Sequence, residues 1–172
     1  MHKDHTINHR HSGFTIVELL IVIVVIGILA AITIVAYNGI QTRARNLRMV
    51  TAATQTYKAI SQYVVDNGSY PTSSSVSCVG NGYPVDTTGL CWNGQSSLAA
   101  NTLLAPYMQT IPSPPMEKIG GLARGMLINT GSKVLEYTII GGTTCPSIGA
   151  PQSAHTAFSD GTLWCRAVLP DL

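Results

Sequence analysis

One acid, Glu18, lies inside a long apolar segment near the start of the chain. Between Phe14 and Ala36 it is the only ionisable residue, and the others are mainly Ile, Val, Leu and Ala. An acid in an apolar medium usually has a partner, because an unpaired charge is costly there. The sequence after Glu18 contains no cation before Arg43. The pattern therefore predicts that the partner of Glu18 comes from elsewhere.

One candidate partner is an amine that hydrolysis would create. Cleavage of the peptide bond between Gly13 and Phe14 leaves Phe14 with a free α-amine, whose pKa is ordinarily ~7.7–8.0, so that it is a cation near neutral pH. That amine could pair with Glu18 of its own chain or of a neighbouring copy. The alternative is a helix that begins later and leaves Glu18 in the lipid headgroup region.

The apolar segment is predicted to form a membrane-spanning helix. As an α-helix, residues 14–36 extend about 35 Å, and the hydrocarbon core of a bilayer is ~30 Å thick. The segment is also longer than the apolar region of a secretory signal, which has about 7–15 residues.

The residues from Gly13 to Glu18, Gly-Phe-Thr-Ile-Val-Glu, precede this apolar run directly. In this they resemble the processing site of the type IV pilin family, and the resemblance is close as far as about Asn46. It implies that a membrane prepilin peptidase cleaves after Gly13 and that Phe14 is then N-methylated. It also implies that Glu18 guides the assembly of subunits.

The chain departs from many pilins at Val35, where they have a proline. A proline would break or kink the helix and make that point easy to melt during assembly. Because Gly is a poor helix former, we expect local melting or a bend near Asn38-Gly39 instead.

The helix is predicted to continue beyond the membrane as an amphipathic helix. Apolar residues recur at spacings of three or four, and Asn67-Gly68 supplies a stop. The members of this apolar face are Ile40, Ala44, Leu47, Val50, Ala53, Tyr57, Ile60 and Val64. Arg43, Arg45 and Arg48 lie off that face, where we expect them to be solvated or to pair between subunits, rather than to bind phosphate or lipid headgroups.

The last third of the chain is rich in strand signals. We predict a short helix from Ser96 to Met108 that Pro106 ends or bends. A hairpin with strands over 125–129 and 133–140 follows, and then a third strand over 161–169. In the second strand, Val134, Glu136 and Thr138 are expected on one face, and Leu135, Tyr137 and Ile139 on the other. The fold class is α+β, with one long N-terminal helix packed on a small antiparallel sheet, as the pilin resemblance implies. Four parts follow: a leader (1–13), a membrane or filament-core helix (14–36), its amphipathic continuation (37–66) and an exported head (67–172, with 37–66).

Four cysteines are expected to form disulfides, because an even number in an exported domain is typical of them. We favour Cys78–Cys91 and Cys145–Cys165, since both pairs close short loops. A structural zinc site is the alternative, but no CxxC spacing occurs. Disulfides require an oxidising compartment, so the head is predicted to lie outside the cytoplasm.

Composition and motifs give no indication of an enzyme. Only 10% of residues are charged and the formal net charge is +2, which provides no electrostatic argument for nucleic-acid binding. No phosphate-binding loop, GxSxG or HExxH motif occurs. His155, Ser159 and Asp160 do not have the arrangement of a catalytic triad, and Asp86 and Asp160 are too few for calcium. We therefore predict no catalytic residue, no cofactor and no metal.

The resemblance implies a subunit that polymerises into a surface filament for adhesion, motility or DNA uptake. Its partners would be the prepilin peptidase/methylase, other pilin subunits, the pilus assembly machinery and the cytoplasmic membrane; any surface ligand is unspecified. The chain would cross the membrane once before assembly and become extracellular afterwards. Two alternatives stay open: a pseudopilin of a type II secretion system, and a single-pass membrane protein that is never processed.

Overall fold

A computed structural model of the chain describes residues 13–72, 74–82, 98–119, 122–153 and 155–172. The chain divides after Ile40 into two compact units. One long helix, α1 (Ile16–Asn67), begins in the first unit and ends in the second. Its bounds agree with the predicted single helix to within two residues.

The end of α1 is set by the residues that the sequence indicated. Asn67 is its last residue, and Gly68 follows with a φ of +61°, in the left-handed region that glycine enters without a steric penalty. The Gly68 amide donates to the Val64 carbonyl at 2.9 Å. This is the αL form of a helix C-terminus, so the predicted stop is confirmed. Asn38 and Gly39 are both helical, and their melting stays a prediction about assembly.

The α1 face that packs in the second unit differs from the predicted one. The buried residues are Met49, Ala52, Ala53, Thr56, Ala59, Ile60 and Val64. Ala44 is exposed, and so are Leu47 and Ile40, by 67% and 64% of their surface. The predicted apolar face is therefore wrong for its first three members. The buried part of the helix begins next to Asn46. The side chain of Asn46 accepts a hydrogen bond from the Ile140 amide at 2.9 Å and donates one to the Ile140 carbonyl at 2.8 Å.

The described residues form seven strands, and every pairing between them is antiparallel. They are β1 (Val76–Cys78), β2 (Glu117–Ile119), β3 (Leu122–Arg124), β4 (Met126–Asn129), β5 (Val134–Ile140), β6 (Thr156–Ala157) and β7 (Thr162–Val168). Five of them make one sheet in the order β1-β4-β5-β7-β6, and β2 pairs with β3 separately. The α+β class with an antiparallel sheet is confirmed.

Three strands and one helix of the head agree with the prediction. The predicted hairpin is present as β4 and β5, and the third predicted strand is β7, which pairs with β5. A short helix, α2 (Leu98–Leu104), passes into a 3-10 turn over Ala105–Tyr107, which contains Pro106. Strands β1, β2, β3 and β6 were not predicted, because strands of two or three residues are too short to produce a periodic pattern.

The central strand β5 is buried on both faces of the sheet. Leu135, Tyr137 and Ile139 of β5 belong to the main core, which also contains the buried residues of α1. Glu136 and Thr138 point to the opposite face and are only 4% and 6% exposed. The predicted alternation of β5 side chains is therefore confirmed, and its polar face is covered as well.

A disulfide joins Cys145 to Cys165 of β7, with their Cα atoms 5.6 Å apart. This is one of the two pairs that the sequence favoured. Cys78 is also disulfide-bonded. Cys91 lies outside the described residues, so the pair Cys78–Cys91 stays a prediction.

Glu136 and Arg166 form a cross-strand ion pair on the second face of the sheet. They are register partners in β5 and β7, and the Arg166 Nε donates to Glu136 Oε1 at 3.1 Å. The guanidinium also lies over the Trp164 ring, 5.8 Å from its centre. Burial raises the pKa of the Glu136 carboxyl, and the charge and hydrogen bond of Arg166 oppose this only in part.

This balance predicts a pH dependence of stability. A carboxyl whose pKa is raised in the folded state binds its proton more tightly there than in the unfolded chain. The folded state therefore loses stability as the pH rises from the ordinary value of 4.5 through the raised value. We expect Glu136→Gln to remove this loss, so that the free energy of unfolding of this variant increases relative to that of the unsubstituted chain as the pH rises above 4.5.

Urea unfolding of the full chain in detergent, at several pH values, measures this difference. Asp66→Asn, at an exposed carboxyl, is the control for the loss of one charge. If the free energy of unfolding of the unsubstituted chain instead increased relative to that of Glu136→Gln as the pH rose, the ion pair with Arg166 would outweigh burial and the prediction would be wrong.

Candidate functional site

Gly13 and Phe14 lie just before α1, in a segment without regular structure. A Cβ placed on Gly13 would have no atom of the described residues within 4 Å, and the φ of Gly13 lies outside the left-handed region. Neither space nor backbone conformation in this chain therefore requires glycine at position 13. Phe14 is 84% exposed, so the protein itself does not cover the predicted cleavage point.

Thr15 and Glu18 close the first turn of α1 by reciprocal hydrogen bonds. The Thr15 amide and the Thr15 hydroxyl both donate to Glu18 Oε2 at 2.8 Å. In return the Glu18 amide donates to Thr15 Oγ1 at 3.3 Å. This is a capping box, in which a Thr and a Glu three residues apart satisfy amide groups that the helix leaves unpaired.

The capping box fixes Glu18 at the N-terminal end of α1, where the helix dipole favours a negative charge. Among the described residues no cation lies within ion-pair distance of its carboxylate. Before cleavage, the Phe14 nitrogen is an amide and cannot supply a charge. Thr15 was missed as a functional residue, although the spacing Thr-x-x-Glu before an apolar run is the signal of a capping box.

The large apolar side chains of the first unit are exposed wherever the structure describes them. Those that the structure describes between Phe14 and Ile34 are 47–84% exposed. By length and composition, α1 is the one helix in the described part of the chain that could cross a membrane. A patch of this size marks a surface that lipid or another protein covers.

Two glycines interrupt this part of α1 without an internal reason. A Cβ on Gly27 or on Gly39 would have no atom within 4 Å in the part of the chain that the structure describes. Glycine in a helix costs roughly 1 kcal/mol relative to alanine. Small residues on apolar helices allow the backbone of a second helix to approach closely, so both positions fit contact with another chain.

The other chemical groups considered in the sequence are not assembled into a site. Among the described residues no cluster of three His, Cys, Asp or Glu side chains could hold a metal. Asp160 accepts hydrogen bonds from the Thr162 amide at 2.9 Å and its hydroxyl at 2.5 Å, within one turn. His155 is exposed, and Asp86 lies outside the described residues. Where the structure describes them, these residues make local contacts or face solvent.

Comparison with known proteins places the same residues in a recognised segment. Residues 8–34 match the prokaryotic N-terminal methylation motif. This motif and the relatives that follow make the chain similar to type IV pilins. A fimbrial protein of Neisseria meningitidis and a type IV major pilin protein, PilE1, of Neisseria gonorrhoeae are each 34% identical to this chain over 68 residues.

The similarity to pilins covers less than half of the chain. The alignments with the two Neisseria proteins cover 40% of this chain, and 40% and 41% of those proteins. A type II secretion system core protein G of Aeromonas hydrophila is 36% identical over 64 residues, which are 37% of this chain and 45% of that protein. No solved structure matches the chain.

Proposed function

We propose that this chain is a type IV prepilin. It is cleaved between Gly13 and Phe14, methylated on the Phe14 amine, and polymerised into a surface filament. The observation that carries the proposal is the lone acid Glu18, which lies at the start of an exposed apolar helix. Five residues before it is Gly13, a glycine that the described structure does not require. Cleavage turns the adjacent Phe14 nitrogen from a neutral amide into a cation that can meet Glu18 of a neighbouring subunit.

The physical driving force for assembly is the apolar surface of α1. In the membrane, lipid covers the side chains between Phe14 and Ile34. When the subunit leaves the membrane, the same side chains must be covered by helices of other copies, because water would otherwise contact a long apolar surface. Gly27 and Gly39 give such helices points of close approach.

The proposed partners follow from these steps. They are a prepilin peptidase/methylase, an assembly machinery in the cytoplasmic membrane, and further pilin subunits. Residues 1–13 act as the leader, 14–36 span the membrane and later line the filament core, and the head with residues 37–66 lies outside. The proposed role is structural, with no catalytic residue and no cofactor.

The experiment that tests this proposal is intact-mass analysis of the chain isolated from shed fibres and from membranes. We expect fibres to contain chains that begin at Phe14 with the mass of one added methyl group. A chain that keeps residues 1–13 in every fraction would overturn the proposal and indicate an unprocessed membrane protein. Fibres without this chain would also overturn it.

A pseudopilin of a type II secretion system is the second candidate. The similarity to core protein G of Aeromonas hydrophila, at 36% identity, favours it. The two candidates share the processing chemistry and differ in what the cell loses without the chain. Loss of surface fibres supports a pilin, and loss of protein secretion with fibres unchanged supports a pseudopilin.

A further inference from the structure

A helical filament needs two different surfaces on each subunit. Contacts between unlike patches that do not close into a ring propagate as an open fibre. The apolar parts of α1 pack together around the filament axis in the proposed filament. The heads must also contact one another through complementary patches. The second unit carries two exposed regions of opposite charge.

The first region is a groove along the exposed side of α1. Two depressions, of about 250 and 320 Å³, both reach Gln55 and lie between α1 and the segment 107–113. Lys58 lines one of them and Arg48 the other. Ten residues of helix separate these two cations, or about 15 Å along the axis. We call these two joined depressions the helix-side groove.

The cations of the helix-side groove are not neutralised within the chain. Neither Arg48 nor Lys58 has an ion-pair partner in the part of the chain that the structure describes. Between Gln41 and Val65 the helix contains no acidic residue. Leu47, also on the groove wall, is 67% exposed. The groove thus combines positive charge with uncovered apolar surface.

The second region lies where α1 ends. Asp66 is in the last turn of the helix, and its carboxylate accepts a hydrogen bond only from Gln62 of the same helix among the described residues, at 3.1 Å. Asp171 lies near Tyr70, whose hydroxyl donates to the Pro170 carbonyl at 2.9 Å and whose pKa is raised by burial and by the Asp171 charge. Both aspartates are exposed, and we call this region the acidic end.

Lys133 is a cation at the same end of the head. It lies in the turn between β4 and β5, and its carbonyl accepts a hydrogen bond from the Leu169 amide at 2.9 Å. Its charge reduces the acidic end to a net −1 over Asp66, Asp171 and Lys133. It also provides an internal control, because reversing it makes this end more acidic.

We propose that the helix-side groove of one copy binds the acidic end of a second copy. This inference rests on the proposed polymerisation and names the head contact within it. The basic groove and the acidic end lie at different levels along the same helix axis, so one copy placed further along that axis can bring its acidic end to the groove of the next. The same pairing repeats at every step, as an open fibre requires.

A second copy fits the groove better than a polyanion does. Nucleic-acid sites are built from clustered Lys and Arg on one face, and the groove has two cations that are about 15 Å apart. Its walls also carry Leu47 and Pro112, which suit a protein surface. An anionic lipid surface or DNA remains a distinguishable outcome of the test below.

Charge reversal tests the pairing. We expect Arg48→Glu with Lys58→Glu to lower filament yield by roughly tenfold or more, because like charges then face each other. Asp66→Lys with Asp171→Lys should have a similar effect. Combining all four changes should restore most of the yield, since the pairing is re-formed with its signs exchanged. Lys133→Glu is the matched control and should leave the yield unchanged or raise it.

Cross-linking in assembled filaments provides a direct measurement. A carbodiimide joins an amine to a carboxylate that it contacts, so Lys58 should become linked to Asp66 or Asp171. Filaments grown from a mixture of ¹⁵N-labelled and unlabelled chains show by peptide mass whether the link joins two copies. We expect mixed-label links in intact filaments and a strong decrease when the filaments are dissociated.

The outcomes separate this inference from the proposed function. Processed, methylated filaments that tolerate the reversal of Arg48 and Lys58 and contain no mixed-label link would overturn the inference and leave the function standing. A reversal that spares filaments but abolishes binding of the filament to DNA, or of the chain to vesicles with anionic lipid, would assign the groove to that ligand instead. Absence of any filament from the unsubstituted chain would count against the function itself.

Discussion

Filaments are expected to be nearly absent from cells whose only copy of the chain carries Glu18→Gln, with a yield reduced by roughly tenfold or more. The glutamine removes the charge while its side-chain oxygen can still accept the hydrogen bonds from Thr15, so the capping box survives. The α-amine of a cleaved neighbour then has no carboxylate to meet in an apolar medium, where an unpaired charge is costly. The change therefore isolates the charge of Glu18 from its role at the helix end.

Three measurements on the same cells check this expectation: the amount of chain in the membrane fraction, its intact mass and the yield of sheared fibres. Membrane insertion should be unchanged, because the apolar segment is not altered. Thr15→Ser, which keeps a hydroxyl for the cap, is the matched control and should assemble normally. Normal fibre yield from Glu18→Gln would show that no charge pair at this position is needed.

Loss of the Cys145–Cys165 disulfide is expected to cost the head about 3 kcal/mol in free energy of unfolding. The bond closes a segment of 20 residues, and constraining a loop of that length in the unfolded chain is worth about this much. Cys165 is fully buried beside the main core, so its replacement also disturbs packing. The double variant Cys145→Ala/Cys165→Ala should therefore unfold at a clearly lower urea concentration.

Urea titration of the full chain in detergent measures this cost with and without a reductant. Reducing the unsubstituted chain should lower its unfolding midpoint at least as far as the double variant, since Cys78 is also disulfide-bonded. Reducing the double variant then reports the contribution of the Cys78 bond alone. A double variant with the same midpoint as the oxidised chain would show that the Cys145–Cys165 bond does not stabilise the head.

The processing segment could be predicted because its information is local. Gly13, Phe14 and Glu18 lie within one segment of six residues, and the apolar run that follows is recognised by its length and composition alone. The long helix could be predicted for the same reason, since its period persists over many turns and Asn67-Gly68 marks its end. The hairpin of β4 and β5 was also visible, because both strands are long enough to alternate and a turn separates them.

Other features depended on partners distant in sequence. The buried side of α1 begins near Asn46 because Asn46 binds Ile140, 94 residues further along the chain, and no local period encodes that contact. Strands of two or three residues, such as β1 and β6, form because a longer neighbour offers its backbone groups to them.

The burial of Glu136 shows the same limit at one residue. The alternation in β5 predicted a polar side chain on the second face of the sheet, and by sequence alone that face would be expected to contact water. Only the packed structure covers it and places Arg166 of β7 opposite. The local sequence thus determined the long helix, the β4–β5 hairpin and the position of the predicted processing segment. Contacts between distant segments decided which faces are buried and which charges meet, because burial depends on what packs against a residue as well as on its neighbours in the chain.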